Sequence, residues 1–166
     1  DGDIISIDIG ANYKGYHGDC ARTWPCGNVK SDRLKLIEVT EQSFFEGLKY
    51  AHPGNRLSDI SHAIEMYAKK FNYGVVRDFT GHGVGSKLHE DPAVPNYGKE
   101  GMGPVLRKGM TLAIEPMINM GTYKVKILAD GWTTITSDHS PSAHYENSIV
   151  ITDNGYEILT KIKEND

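Results

Sequence analysis

Residues 4–24, IISIDIGANYKGYHGDCARTW, carry the pattern from which the fold is built outward. Ile5, Ile7 and Ile9 fall on one side of an alternating run, with Ser6 and Asp8 on the other, as in a half-buried strand. Asn12-Tyr13-Lys14-Gly15 supplies turn residues, and the chain resumes with Tyr16 to Trp24 until Pro25 stops it, so the segment reads as a β-hairpin. A turn symmetric about Tyr13 and Lys14 sets residue 11 against 16, 10 against 17, and Asp8 against Asp19. Facing side chains have Cβ atoms roughly 4.5–5.5 Å apart, and like charges there repel. Two carboxylates so placed need a cation between them or a proton on one. An edge acid in water, or a register slipped by one, is the plainer alternative.

Downstream, Ser31 can cap a helix whose apolar residues Leu34, Ile37, Phe44, Phe45 and Leu48 recur at helical spacing. His52-Pro53-Gly54-Asn55 breaks it, and Ser58 can cap a second helix with the stripe Ile60, Ala63, Ile64, Tyr67 and Phe71. Both stripes read as core-facing surfaces. After Gly74 the chain turns to strands and glycine-rich loops, with strands expected at 75–79, 111–118, 133–135 and 147–152. Hairpin, helix pair and further strands make an α+β pattern rather than a βαβ alternation. No internal repeat stands out.

The composition excludes several classes. A length of 166 residues suits one domain with a sizeable core, and a net charge of -4 speaks against a nucleic-acid grip. No apolar run approaches the roughly 20 residues that span a bilayer, and no signal peptide opens the chain. Two cysteines, Cys20 and Cys26, are too few for a disulfide framework and point weakly to a reducing compartment. The chain begins at Asp1 with no initiator Met and opens at once into a strand, so an upstream segment is expected.

Three further segments carry chemistry. In TGHGVGSKLHEDP (80–92) the phosphate-loop ending is absent and a Pro follows instead of a helix. The glycines instead let the backbone around His82 approach something closely. His82 and His89 then read as ligand and proton handler, or as surface residues. Glu115 ends an apolar strand against Pro116, and Glu146 stands at the mouth of another; a buried carboxylate needs a partner. Asp8, Asp19, His82, Glu115 and Glu146 together form an oxygen-rich set suited to Mn, Fe(II), Co or Zn. Four carboxylates also balance two divalent cations.

The order of these five residues and the segments DIG, HGDCARTW, TGHGVGSKLHEDPAVPNY, LRKGMTLAIEPMIN, DGWTTITSD and SAHYENSIVITDNGYEILT resemble the type I methionine aminopeptidases, pita-bread metallopeptidases. The resemblance runs nearly end to end. It implies a partial pita-bread fold of antiparallel sheet with two packed helices, residues 1–166 forming a catalytic domain truncated at its N-terminus. It also implies two divalent ions and removal of the N-terminal Met from nascent polypeptides in the cytoplasm, near the ribosome, with no membrane or nucleic acid required.

By the same resemblance Asp8 binds one metal, Asp19 and Glu146 bridge the pair, and His82 and Glu115 hold the second. Glu115 also handles the proton of the attacking water, His89 hydrogen-bonds the scissile peptide, and Trp132 lies at the S1 region. His144, Asn147 and Ser148 stand where the family usually has Gln, His and Thr, and Leu88 where it has Phe. Family members carry about 90 further residues upstream, close to the size of a small domain. Little aminopeptidase activity is therefore expected of this chain alone, and its uncovered apolar surface invites self-association or pairing with the missing half. A prolidase or Xaa-Pro aminopeptidase, and a non-catalytic pita-bread binding module, are the alternatives. Retention of all five ligands counts against the module.

Overall fold

In the computed structural model, which describes residues 1–161, β1 (Ile4–Tyr13) and β2 (Tyr16–Pro25) form the expected hairpin. Tyr13 pairs with Tyr16, so the loop is Lys14-Gly15 alone, with φ of 52° and 87°. Two positive φ values are what a two-residue turn needs to match strand twist. The expected register is corrected by two residues: Asp19 faces Gly10, and Asp8 faces Ala21. Because side chains alternate with period two, a shift of two leaves both acids on one face, now as diagonal neighbours with more room between them. Gly15→Ala is expected to lower stability by about 1 kcal/mol through left-handed backbone strain, read as a fall in the chemical-denaturation midpoint.

Helix α1 (Ser31–Leu48) and helix α2 (Leu57–Lys69) follow. Neither begins as expected. Ser31 is the first helical residue rather than the cap. At α2, Asp59 reaches back to the Arg56 N–H at 2.7 Å, while the Ser58 hydroxyl accepts the Met102 N–H at 2.6 Å. The buried face of α1 is Leu36, Val39, Thr40, Ser43 and Phe44, and Leu34 points outward at 44% exposure. Ile60 and Ile64 are fully buried as their stripe implied.

The strands after α2 are shorter and more numerous than the sequence suggested: β3 (Gly74–Val75), β4 (Gly81–Gly83), β5 (Glu90–Val94), β6 (Thr111–Ile114), β7 (Met117–Asn119), β8 (Val125–Ile127), β9 (Thr134–Thr136), β10 (Ser142–His144), β11 (Asn147–Ile151) and β12 (Tyr156–Ile158). The single strand expected over 111–118 is divided by Glu115-Pro116, which has no N–H at residue 116 to continue a ladder. An antiparallel sheet runs β12-β11-β6-β4-β5, a second runs β10-β7-β3, and β8 pairs with β9. Phe44, Leu48, Ile60 and Ile64 of the helices pack on Leu112, Ile114, Ile149 and Ile151 of the larger sheet. Leu36, Ala68, Val75, Ile118 and Ala143 make a second cluster under the smaller one. Glu115 thus lies between β6 and β7, where the chain passes from one sheet to the other.

Candidate metal centre

Strand β2 brings the first acid to the junction. The Asp19 N–H donates to Ser148 Oγ at 2.9 Å, and that hydroxyl donates to the Asp19 carbonyl at 3.0 Å. Two residues on, Glu146 donates its N–H to the Ala21 carbonyl at 2.9 Å, and Ala21 returns a longer bond at 3.4 Å. Arg22 fastens the same join. Its guanidinium donates to the carbonyls of Ala21 (2.8 Å) and Glu146 (2.5 Å) and to Asn147 Oδ1 (2.8 Å), and lies 4.1 Å over the Tyr145 ring. The hairpin is thus locked to the approach of β11, and Asp19 meets Glu146.

His82 is held in β4 between two neighbours so close that a Cβ on Gly81 would overlap the Ala113 carbonyl, and one on Gly83 the Asp91 carbonyl. This is the close approach expected of those glycines, and the neighbours are β6 and the β5 segment. His82 Nδ1 lies 2.9 Å from the Gly83 carbonyl oxygen. A proton donated there leaves Nε2 with a free lone pair, the form that ligates a metal. Nε2 is 3.7 Å from Asp19 Oδ2 and 3.5 Å from Glu115 Oε1. One donor atom from each of Asp19, His82 and Glu146 lies within 4.8 Å of the other two.

The other candidates fall as follows. Asp8 is exposed, and its charge is one of those that raise the Glu146 carboxyl. The exposed His89 ring stands edge-on to His82, with centroids 4.3 Å apart. Leu88 covers Gly10, opposite Asp19, where a Cβ would lie 3.0 Å from its Cδ1. Trp132 does not join the cluster: it lies in the loop between β8 and β9, 88% exposed, its N–H bonded to Asp130 Oδ1 at 3.0 Å. The sequence marks Ser148 only as a departure from the family's Thr, and it does not mark Arg22 or Thr23. The hydroxyls of Thr23 and Ser148 stand at strand positions where they can meet backbone, whereas nothing local marks the guanidinium of Arg22.

The electrostatics are strained without a cation. Glu146 is 1% exposed, and its carboxyl is pushed up to about 10, by burial first and then by the charges of Glu115, Asp19 and Asp8. Burial and the Asp8 charge also raise Asp19. Among the described residues Glu146 Oε1 has no hydrogen-bond partner. An orphaned buried carboxylate oxygen, three further acids and an imidazole free at Nε2 fit a hard or borderline divalent cation.

Residues 1–153 match metallopeptidase family M24. The chain belongs to that family. A methionine aminopeptidase of Clostridium perfringens is 56% identical over 98% of this chain and 66% of its own length. A solved methionine aminopeptidase from Thermotoga maritima superposes with a TM-score of 0.94 at 50% identity, covering 97% of this chain and 65% of that one. A prolidase from Pyrococcus furiosus superposes less closely, with a TM-score of 0.75 at 27% identity over 98% and 42% of the two chains. This M24 chain therefore has the expected pita-bread, α+β fold and spans about two thirds of the length of such aminopeptidase relatives. Among its described residues no helix is long and apolar enough to cross a membrane.

Proposed function

We propose that the chain holds the catalytic centre of a methionine aminopeptidase that uses two divalent ions to remove the N-terminal methionine of new polypeptides. One observation carries the metal part: the buried Glu146 carboxyl lies beside Asp19 and His82 with an unpartnered oxygen. The methionine part is supported by the relatives, since similarity to the methionine enzyme far exceeds similarity to the prolidase. That contrast disfavours an Xaa-Pro enzyme, and the intact donor set disfavours a binding module without catalysis.

Asp8, Asp19, His82, Glu115 and Glu146 would hold the ions, with Asp19 and Glu146 the acids that meet at the centre of the set. The ions, drawn from Co, Mn, Fe(II) or Zn, supply a water acidified toward neutral pH and Lewis-acid polarisation of the scissile carbonyl. Around them the Glu115 carboxylate would hold and return a proton, and His89 would donate to the peptide being cut. Trp132 is assigned to the methionine subsite on the resemblance alone, since its exposed ring lies in the β8–β9 loop. The setting is cytoplasmic and close to the ribosome, where N-terminal methionines emerge. The apolar row Ile5, Ile7, Ile9 and Trp24 is 45–60% exposed. That row supports self-association, or pairing with the part of the relatives' length that this chain does not span.

The test is calorimetric titration with Mn²⁺ or Co²⁺, followed by hydrolysis of Met-Ala-Ser against an Xaa-Pro peptide by the full-length enzyme. Two ions bound per chain and metal-dependent release of Met alone are expected. Preference for Xaa-Pro would replace the methionine assignment with the prolidase one, and absence of metal binding would end both.

A further inference from the structure

Glu115 is flanked by two imidazoles, of which the proposed metal site uses one. Its Oε1 lies 3.5 Å from His82 Nε2, and its Oε2 lies 3.6 Å from His144 Nε2. Among the described residues the buried His144 Nε2 has no hydrogen-bond partner. A buried ring nitrogen left without a partner is costly, and the Glu115 oxygen 3.6 Å away is an acceptor close to its reach.

His144 is held firmly. In the β10–β7 pair it faces Met117, two residues beyond Glu115, so its side chain projects on the side of the sheet from which Glu115 is reached diagonally. The Thr23 hydroxyl accepts the His144 N–H and donates to the His144 carbonyl, both at 2.8 Å. That hydroxyl has one proton, so the Ser6–Thr23 bond of 2.8 Å is donated by Ser6. Glu115 is pinned from its other end, its carbonyl accepting from the buried Asn96 amide at 3.0 Å. Both backbones are therefore fixed, and only side-chain torsions remain to close the gap.

We propose that His144 is the positioning residue of Glu115, donating its neutral Nε2–H to the Glu115 oxygen that faces it and so aiming the carboxylate at the metal. The proposal rests on the metal-site reading above. It needs a closure of about 0.6 Å to reach an ordinary N–H···O length. Hydrogen-bonded partners of metal-ligating groups typically change affinity by about 10- to 100-fold when removed, which sets the expected scale.

The experiment compares wild type, His144→Gln, His144→Phe and His144→Leu. Metal affinity is measured by calorimetric titration with Mn²⁺, and the visible spectrum of the Co²⁺-loaded chain reports ligand geometry. Gln keeps an N–H donor of similar reach, whereas Phe fills the ring space without one and Leu fills it partly. Far-ultraviolet circular dichroism and the metal-free Tm establish that each variant is folded; Leu stands in should Phe fail.

The expected result is affinity within about threefold of wild type for Gln, and a loss of about 10-fold or more with an altered Co²⁺ spectrum for the donorless variants. Donorless variants that bind like wild type overturn the proposal. So does a Gln variant that loses as much as Phe, because the role would then need an imidazole, as a direct ligand would. Failure of wild type to bind Mn²⁺ or Co²⁺ is a different outcome, one that removes the metal-site reading itself.

Discussion

Glu146→Gln is expected to raise the stability of the metal-free chain at pH 8, leave it nearly unchanged at pH 4, and abolish tight metal binding. In the metal-free fold the Glu146 carboxyl is raised from 4.5 to about 10 by burial and by Glu115, Asp19 and Asp8. A carboxyl raised in the folded state holds a proton that the unfolded chain releases above its ordinary pKa. Its stabilising influence is therefore fully present below about 4.5 and is lost as pH rises toward 10. Between those limits each pH unit costs about 1.4 kcal/mol, so by pH 7 the penalty is on the order of 3 kcal/mol. Asp19 is raised as well, and its contribution has the same sign.

Glutamine keeps the shape and remains neutral at every pH, so its denaturation midpoint should vary much less from pH 5 to 8 than that of wild type. Metal should reverse the order. A divalent cation favours the ionised carboxylates, and wild type should gain several degrees of Tm on adding Mn²⁺ while the variant gains little. A pH-independent wild-type midpoint, or a variant that binds metal as tightly, would show that Glu146 is not the strained acid of this site.

Part of this site is legible in the sequence itself. Asp8 and Asp19 could be assigned to one face because strand periodicity is local, and it survived an error of two residues in the register. The error came from centring the turn on Tyr13-Lys14, whereas the residue tolerant of positive φ is Gly15, which sets the loop one residue later. His82 was legible from its flanking glycines, and Glu115 from the proline that ends its strand. Other features depended on contacts more than 100 residues apart. Ser148 takes the backbone of Asp19 and Arg22 the carbonyl of Glu146, and neither pairing leaves a periodic trace. The start of α2 was misplaced because Ser58 turned its hydroxyl to Met102, a choice made by tertiary packing and not by helix propensity.

Gly83→Ala should be a strongly damaging small substitution near the site. The position has ordinary negative-side backbone, since it is absent from the glycines with positive φ, so the effect is one of space. An added Cβ would overlap the backbone carbonyl of Asp91 and press on that of Glu90. Backbone cannot swing aside as a flexible side chain does, so β4 and the β5 segment must separate. Overpacking of this kind costs about 1–3 kcal/mol and occasionally more, and no side-chain torsion relieves it here. The displaced strand carries His82, whose Nδ1 bonds the carbonyl of Gly83 itself. Separation of the strands would therefore turn the imidazole and draw Nε2 away from Asp19 and Glu115. The variant should unfold at a lower denaturant concentration and bind Mn²⁺ at least tenfold more weakly, even where it remains folded. Gly85→Ala is the comparison: the nearest atoms to its added Cβ are the carboxylate end of the Glu90 side chain, at 3.1–3.3 Å. That end is held by the Ser86 hydroxyl and the Lys87 N–H and not by strand backbone, so a smaller loss is expected. Equal losses from the two variants would mean that the loop as a whole is intolerant of substitution, and that the close approach at residue 83 is not what holds His82 in place.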